Sequence, residues 1–103
     1  SRYTLEALGS LGKLSRLARI EKQMTVQDVA ARAGISRGLL QRIEKGDPKC
    51  EIGAAFEAAA IVGVTLFNSD ANGLAAHSKR TNGTLALLPK TVHTRAVVAN
   101  DDF

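Results

Sequence analysis

Residues 25–46 hold two helix-start signals and two helix-stop signals in close succession, and that crowding restricts the possible folds more than any other feature. Thr25-Val26-Gln27-Asp28 has the form of a capping box, in which the Thr hydroxyl accepts from the Asp28 amide and the carboxylate reaches back to the Thr amide. The helix it opens closes near Ala33, where Gly34 supplies the left-handed conformation that ends a helix. Ser36 then stands as the N-cap of another helix, running to about Lys45 and stopped by Gly46. Two short helices joined by Ala33-Gly34-Ile35-Ser36 make a compact helix-turn-helix when the interior positions are apolar and the corner reverses tightly. Val29, Ala33, Ile35, Leu40 and Ile43 take those interior positions, and Ala30 is small where the second helix approaches the first. The spacing Ala30, Gly34, Leu40 is more specific than an ordinary helical hairpin requires.

The flanking segments are helical too. Leu11, Leu14, Leu17 and Ala18, spaced by three and four, predict an amphipathic helix from about Ser10 to Lys22. Leu5 and Leu8 extend the pattern backwards, against the weak helix formers Gly9 and Gly12. After Asp47-Pro48 a helix is expected over Cys50 to Val62, with Ile52, Ala55, Phe56, Ala59 and Ala60 buried and Gly63 as its stop. Thr65 is placed to cap a short fifth helix through Leu66 and Phe67. Asn72-Gly73 and Asn82-Gly83 read as turns around a helical stretch from Leu74 to Arg80. From Thr84 the pattern becomes extended, through Thr84–Leu88 and then Thr91–Val98, ending in the acidic Asn100-Asp101-Asp102-Phe103. Aromatics are only 4% of the chain while Ala recurs, a bias toward closely packed helices. The expected organisation is an all-α domain over residues 1–70 and a C-terminal helix and extended tail over 71–103.

Charge is unevenly spread. Residues 1–46 carry nine Lys/Arg and four acids, a net +5, and the remainder carries five basic and six acidic residues. A basic half beside a near-neutral one fits a face that meets a polyanion, and fits a merely solvated basic surface about as well. No apolar run approaches the roughly 20 residues needed to span a bilayer, so no membrane association is expected. The single cysteine, Cys50, forms no internal disulfide, and a reducing, cytoplasmic setting is the expectation. His77, His93 and Cys50 do not stand at metal-ligand spacing, and no nucleophile elbow, P-loop or carboxylate pair is present. Neither a metal, a cofactor nor an enzymatic activity is expected.

With Arg19-Ile20, Met24 to Ala30, Ala33-Gly34-Ile35-Ser36 and Ile43-Glu44-Lys45-Gly46, the sequence resembles the phage-repressor-like (Xre/Cro) helix-turn-helix family over about residues 10–67. The resemblance implies a lambda-repressor-like five-helix bundle that dimerises on a palindromic double-stranded DNA operator. The second helix of the motif enters the major groove and its first residues read base edges. Carried over by position, Arg37, Gly38, Gln41 and Arg42 form the base-reading set, Arg37 matching guanine O6 and N7 bidentately. Gly38 stands where the family commonly has a side chain that touches a base. The same resemblance makes Arg19, Thr25, Gln27, Ser36, Lys45 and Lys49 phosphate contacts, with Val26 where the family often has Gln. Arg19 and Glu44 match a family ion pair that links the first and third helices. The competing reading of Arg37, Gln41 and Arg42 is a solvated helix face.

The bundle followed by a tail is similar to the layout of HipB-type antitoxins, which pair DNA autorepression with capture of a HipA-like kinase toxin. That likeness implies a sequence-specific transcriptional repressor and antitoxin, with a homodimer and the toxin as partners. The alternatives are a stand-alone phage-type or metabolic regulator, or an interaction module that keeps the fold and has lost DNA binding. Two readings of the tail also stay open. Thr84 to Leu88 pairs with its two-fold mate as an intermolecular strand, or the tail stays unfolded until a partner buries Leu85, Leu87, Leu88, Val92, Val97 and Val98.

Overall fold

A computed structural model describes residues 1–92 of the chain. The segment Thr91–Val98 from His93 onward, and the acidic end, lie outside the described residues. The chain divides into two units, Ser1–Asn68 and Ser69–Phe103. Among the described residues the regular structure is helical throughout: α1 Arg2–Glu21, α2 Val26–Ala33, α3 Arg37–Glu44, α4 Ile52–Ile61 and α5 Ala71–Ala86.

The first unit is a bundle of α1–α4, in which α2 packs on α3 and α4 while α1 lies against α3. Helix α1 begins at Arg2, well before Ser10, with Ser1 as N-cap accepting from the Thr4 amide. Gly9 and Gly12 do not interrupt it: the end of α3 rests on Gly12, and the turn after α3 closes at Gly46 against the Gly9 backbone. A Cβ built on Gly12 would lie 2.5 Å from the Ile43 carbonyl oxygen and 2.6 Å from that of Glu44. A Cβ on Gly46, which turns with φ +77°, would lie 2.7 Å from the Cα of Gly9. Helix propensity is given up here for close approach of two backbones. The buried or half-buried side of α1 is consequently Leu8, Leu11, Gly12, Ser15 and Ala18, and Leu14 and Leu17 of the expected stripe are exposed.

Both caps of the central motif are formed. The Thr25 hydroxyl accepts from the Asp28 amide at 3.0 Å, and the Asp28 carboxylate accepts from the Thr25 amide at 2.9 Å. Gly34 is left-handed at φ 71°, and Ser36 Oγ accepts from the Leu39 amide at 3.0 Å. Helices of eight residues are unstable in water by themselves, so burial has to hold α2 and α3. Val29, Ala30 and Leu40 close the core with Ala58 and Val62 of the α4 segment. Burying Leu40, Val29 and Val62 contributes about 1.5–3 kcal/mol apiece. Ile43 is buried as well, while Ala33 and Ile35 are half-buried.

Helix α4 is shorter than expected and turned differently. Ala55, Ala58 and Ala59 are buried, whereas Ile52 and Ala60 of the expected stripe are exposed. Alanines on the inner side let α4 approach α2 closely, and larger side chains are left to the rim. Gly63 does terminate the segment, with φ +85°. No short helix follows at Thr65. Phe67 and Asn68 both take left-handed backbone, with φ 56° and 54°, and two such residues in succession make a turn that helical φ angles cannot continue.

In the second unit, α5 runs through both Asn-Gly pairs that were expected to be turns. Asp70 caps it by accepting from the Gly73 amide at 2.8 Å. Thr81 and Thr84 donate back to the carbonyls of His77 and Arg80, so their hydroxyls are satisfied inside the helix. Thr84–Ala86 are therefore helical and not extended, and Leu87 is the C-cap.

Candidate nucleic-acid interface

Helix α3 buries Leu40 and Ile43 and leaves its other side to solvent. That open side carries Arg37, Gly38, Gln41, Arg42 and Lys45, all exposed. Both ends of the helix are tied down. At its start, Ser36 accepts the Leu39 amide. At its end, Glu44 takes a bidentate bond from Arg19, at 2.7 Å from Nε and 3.1 Å from the terminal nitrogen Nη2. Arg19 Nη1 donates to the Met24 carbonyl at 3.1 Å, so one guanidinium joins α1, the α1–α2 turn and α3. The two side chains are only 11% and 7% exposed. The hydrogen bond to Glu44 raises the already high pKa of Arg19 against the opposing effect of burial. Three of the Arg19 nitrogens are thus spent inside the protein.

Arg42 is also engaged. Its Nε lies 3.3 Å from an Asp47 carboxylate oxygen, and its Nη2 lies 3.9 Å from Cys50 Sγ. This directs it toward the α3–α4 loop. Asp47 also accepts from the Lys49 amide at 2.8 Å, which fixes the loop bearing Lys49. Arg37 is engaged in no ion pair among the described residues.

Around the start of α2, Thr25 and Gln27 are exposed, while Val26 packs on the core. The capping bonds hold the Asp28 carboxyl below its ordinary pKa, mainly through its bond from the Thr25 amide. A concavity lined by Arg16, Arg19, Val26, Gln41, Glu44 and Lys45 joins α1, α2 and the open side of α3. Arg16 was not singled out in the sequence, although it stands one helical turn before Arg19 and so on a neighbouring part of the same surface. Among the candidates, the structure brings Arg19, Gln41 and Lys45 to this concavity and places Lys49 in the loop beyond it.

Among the described residues nothing lies within 4 Å of the position a Cβ on Gly38 would occupy, and the φ of Gly38 is not positive. No contact among the described residues requires glycine there, although glycine inside a helix costs about 0.5–1 kcal/mol relative to alanine.

Residues 16–59 match the family model of a helix-turn-helix domain. The match runs from the second half of α1 through most of α4. No curated protein and no solved structure matches the chain significantly. A helix-turn-helix domain supports DNA binding. No helix among the described residues is long and apolar enough to cross a membrane.

Proposed function

We propose, taking residues 16–59 as a helix-turn-helix domain, that this chain is a sequence-specific transcriptional repressor that lays α3 in the major groove of double-stranded DNA. The carrying observation is the open side of α3, basic and polar, held in place by the Arg19–Glu44 bond. Arg37 and Gln41 read base edges, with Arg42 at the margin because of its bond to Asp47. Gly38 gives the duplex clearance against the helix. Thr25, Gln27, Ser36, Lys45 and Lys49 contact phosphates, joined by Arg16, and Arg19 acts chiefly by positioning α3. The site is two-fold, with half-sites roughly 34 Å apart.

Selection of a binding site from random duplexes, followed by mobility shifts at two salt concentrations, tests the proposal. Affinity should fall steeply with salt, by about 0.9 in log–log slope for each phosphate neutralised. Arg37→Ala should lose about 1–3 kcal/mol at the selected site and blur its preference at one base pair, whereas Lys49→Ala weakens all sequences alike. A chain that shifts no duplex at either concentration is an interaction module instead.

A partner reading is supported by the exposed Leu85, Leu87, Leu88 and Val92 of the second unit. It makes the repressor an antitoxin whose second unit captures a HipA-like kinase. Co-expression with such a kinase should relieve its toxicity, and serines at Leu85, Leu87 and Leu88 should abolish the relief while leaving DNA binding intact. Relief that survives the serines removes this reading and leaves a stand-alone regulator.

A further inference from the structure

Helix α1 has a second apolar strip that the bundle does not use. Leu14, Leu17 and Ile20 are 51%, 54% and 50% exposed. With helical residues about 100° apart, Leu14, Ile20, Lys13 and Glu21 all fall within about 60° of Leu17 around the axis. This strip is roughly opposite the side that carries Leu11, Ser15 and Ala18 into the bundle. Lys13 and Glu21 are exposed, and neither is in an ion pair among the described residues. Ser10, Lys13, Leu14 and Leu17 border a shallow depression together with Glu6 and Gly9. Four residues at i, i+3, i+4 and i+7 are the rim of a hole that accepts a side chain from a facing helix.

We infer that this strip is a self-association surface, on which α1 of a second copy packs antiparallel about a two-fold axis at Leu17. The register follows from the residues. With Leu17 opposite Leu17 of the second copy, Leu14 stands level with Ile20 of that copy, and Lys13 with its Glu21. Ile20 of the second copy then faces the hole, and the symmetry repeats each contact. A parallel pairing would instead set Lys13 against Lys13 and Glu21 against Glu21, which like charges oppose. Charge complementarity therefore selects both the occupant and its direction. The surface supplies the two-fold dimer that the DNA reading calls for, but its chemistry does not depend on that reading.

Sedimentation equilibrium of the full chain without DNA is the test. The wild type should sediment at twice 10.9 kDa. Leu17→Glu should be monomeric with an unchanged helical circular dichroism spectrum. Lys13→Glu and Glu21→Lys should each weaken the dimer about tenfold, and the two together should restore it by exchanging the charges. A wild-type monomer, a dimer that survives Leu17→Glu, or a double exchange no tighter than the single variants overturns the inference. Arg37→Ala lies off this strip and leaves the dimer intact. A chain that dimerises here without binding DNA thus refutes the DNA reading alone, and one that binds DNA yet dimerises elsewhere refutes this inference alone.

Discussion

Replacing Glu44 with alanine removes the acceptor of both bonds from Arg19, at 2.7 and 3.1 Å, and strands a guanidinium whose side chain is only 11% exposed. An exposed ion pair contributes about 0–1 kcal/mol. Removing one partner of a fully buried pair costs about 3–5 kcal/mol, because the remaining charge is left unpaired. Arg19 keeps its bond to the Met24 carbonyl and lines an open concavity, so the loss should fall between those limits, about 2–3 kcal/mol. For a unit of this size each kcal/mol moves the melting temperature by about 4–8 °C. Thermal unfolding followed by far-ultraviolet circular dichroism should therefore show a fall of roughly 10–20 °C. Glu44→Gln, which keeps one acceptor, should lose less. Arg19→Met combined with Glu44→Leu should lose less than the sum of its single changes, since neither charge is then left behind. DNA affinity should fall with Glu44→Ala even where the fold is held intact at low temperature, as α3 loses its C-terminal anchor. An unchanged melting temperature, or single changes that simply add, would refute the claim that this pair fixes α3.

Ser15 is 2% exposed and its Oγ has no hydrogen-bond partner among the described residues, so Ser15→Ala should stabilise the chain by about 1 kcal/mol, seen as a higher melting temperature. Gly12→Ala places a methyl group 2.5 Å from the Ile43 carbonyl oxygen; denaturant titration should show a loss of about 1–3 kcal/mol as α3 is pushed off α1. Asp28 has a depressed folded-state pKa, so the stability it contributes is fully present above the ordinary carboxyl value of 3.8 and is lost as pH falls below that through the lowered value. The difference in melting temperature between wild type and Asp28→Asn should accordingly be present at neutral pH and vanish in strong acid.

The signals that act over one or two turns were legible in the sequence alone. Thr25 with Asp28, Gly34, Ser36, Gly46 and Gly63 mark helix ends because each is a local bond or a local φ, complete within a few residues. Val29, Leu40 and Ile43 could be placed inside for the same reason, since a helix of eight residues has few ways to face a neighbour. Local chemistry could not decide which of two apolar strips of α1 meets the bundle. Leu14 and Leu17 satisfy the spacing rule as well as Leu8 and Leu11 do, and the choice was made by Gly12, whose missing Cβ admits the end of α3, and by Gly46, whose missing Cβ lets the following turn close on Gly9. The same long-range packing turned α4 onto its alanines and left Ile52 at the surface. Of the candidate interface, the residues of α3 could be read from its sequence, whereas the commitment of Arg19 to Glu44 and Met24 and the nearness of Arg16 depend on three helices meeting, and that of Arg42 to Asp47 on the turn that follows α3. Local bonds and φ angles are encoded by neighbours in the chain, but the buried side of a helix is chosen by what packs against it.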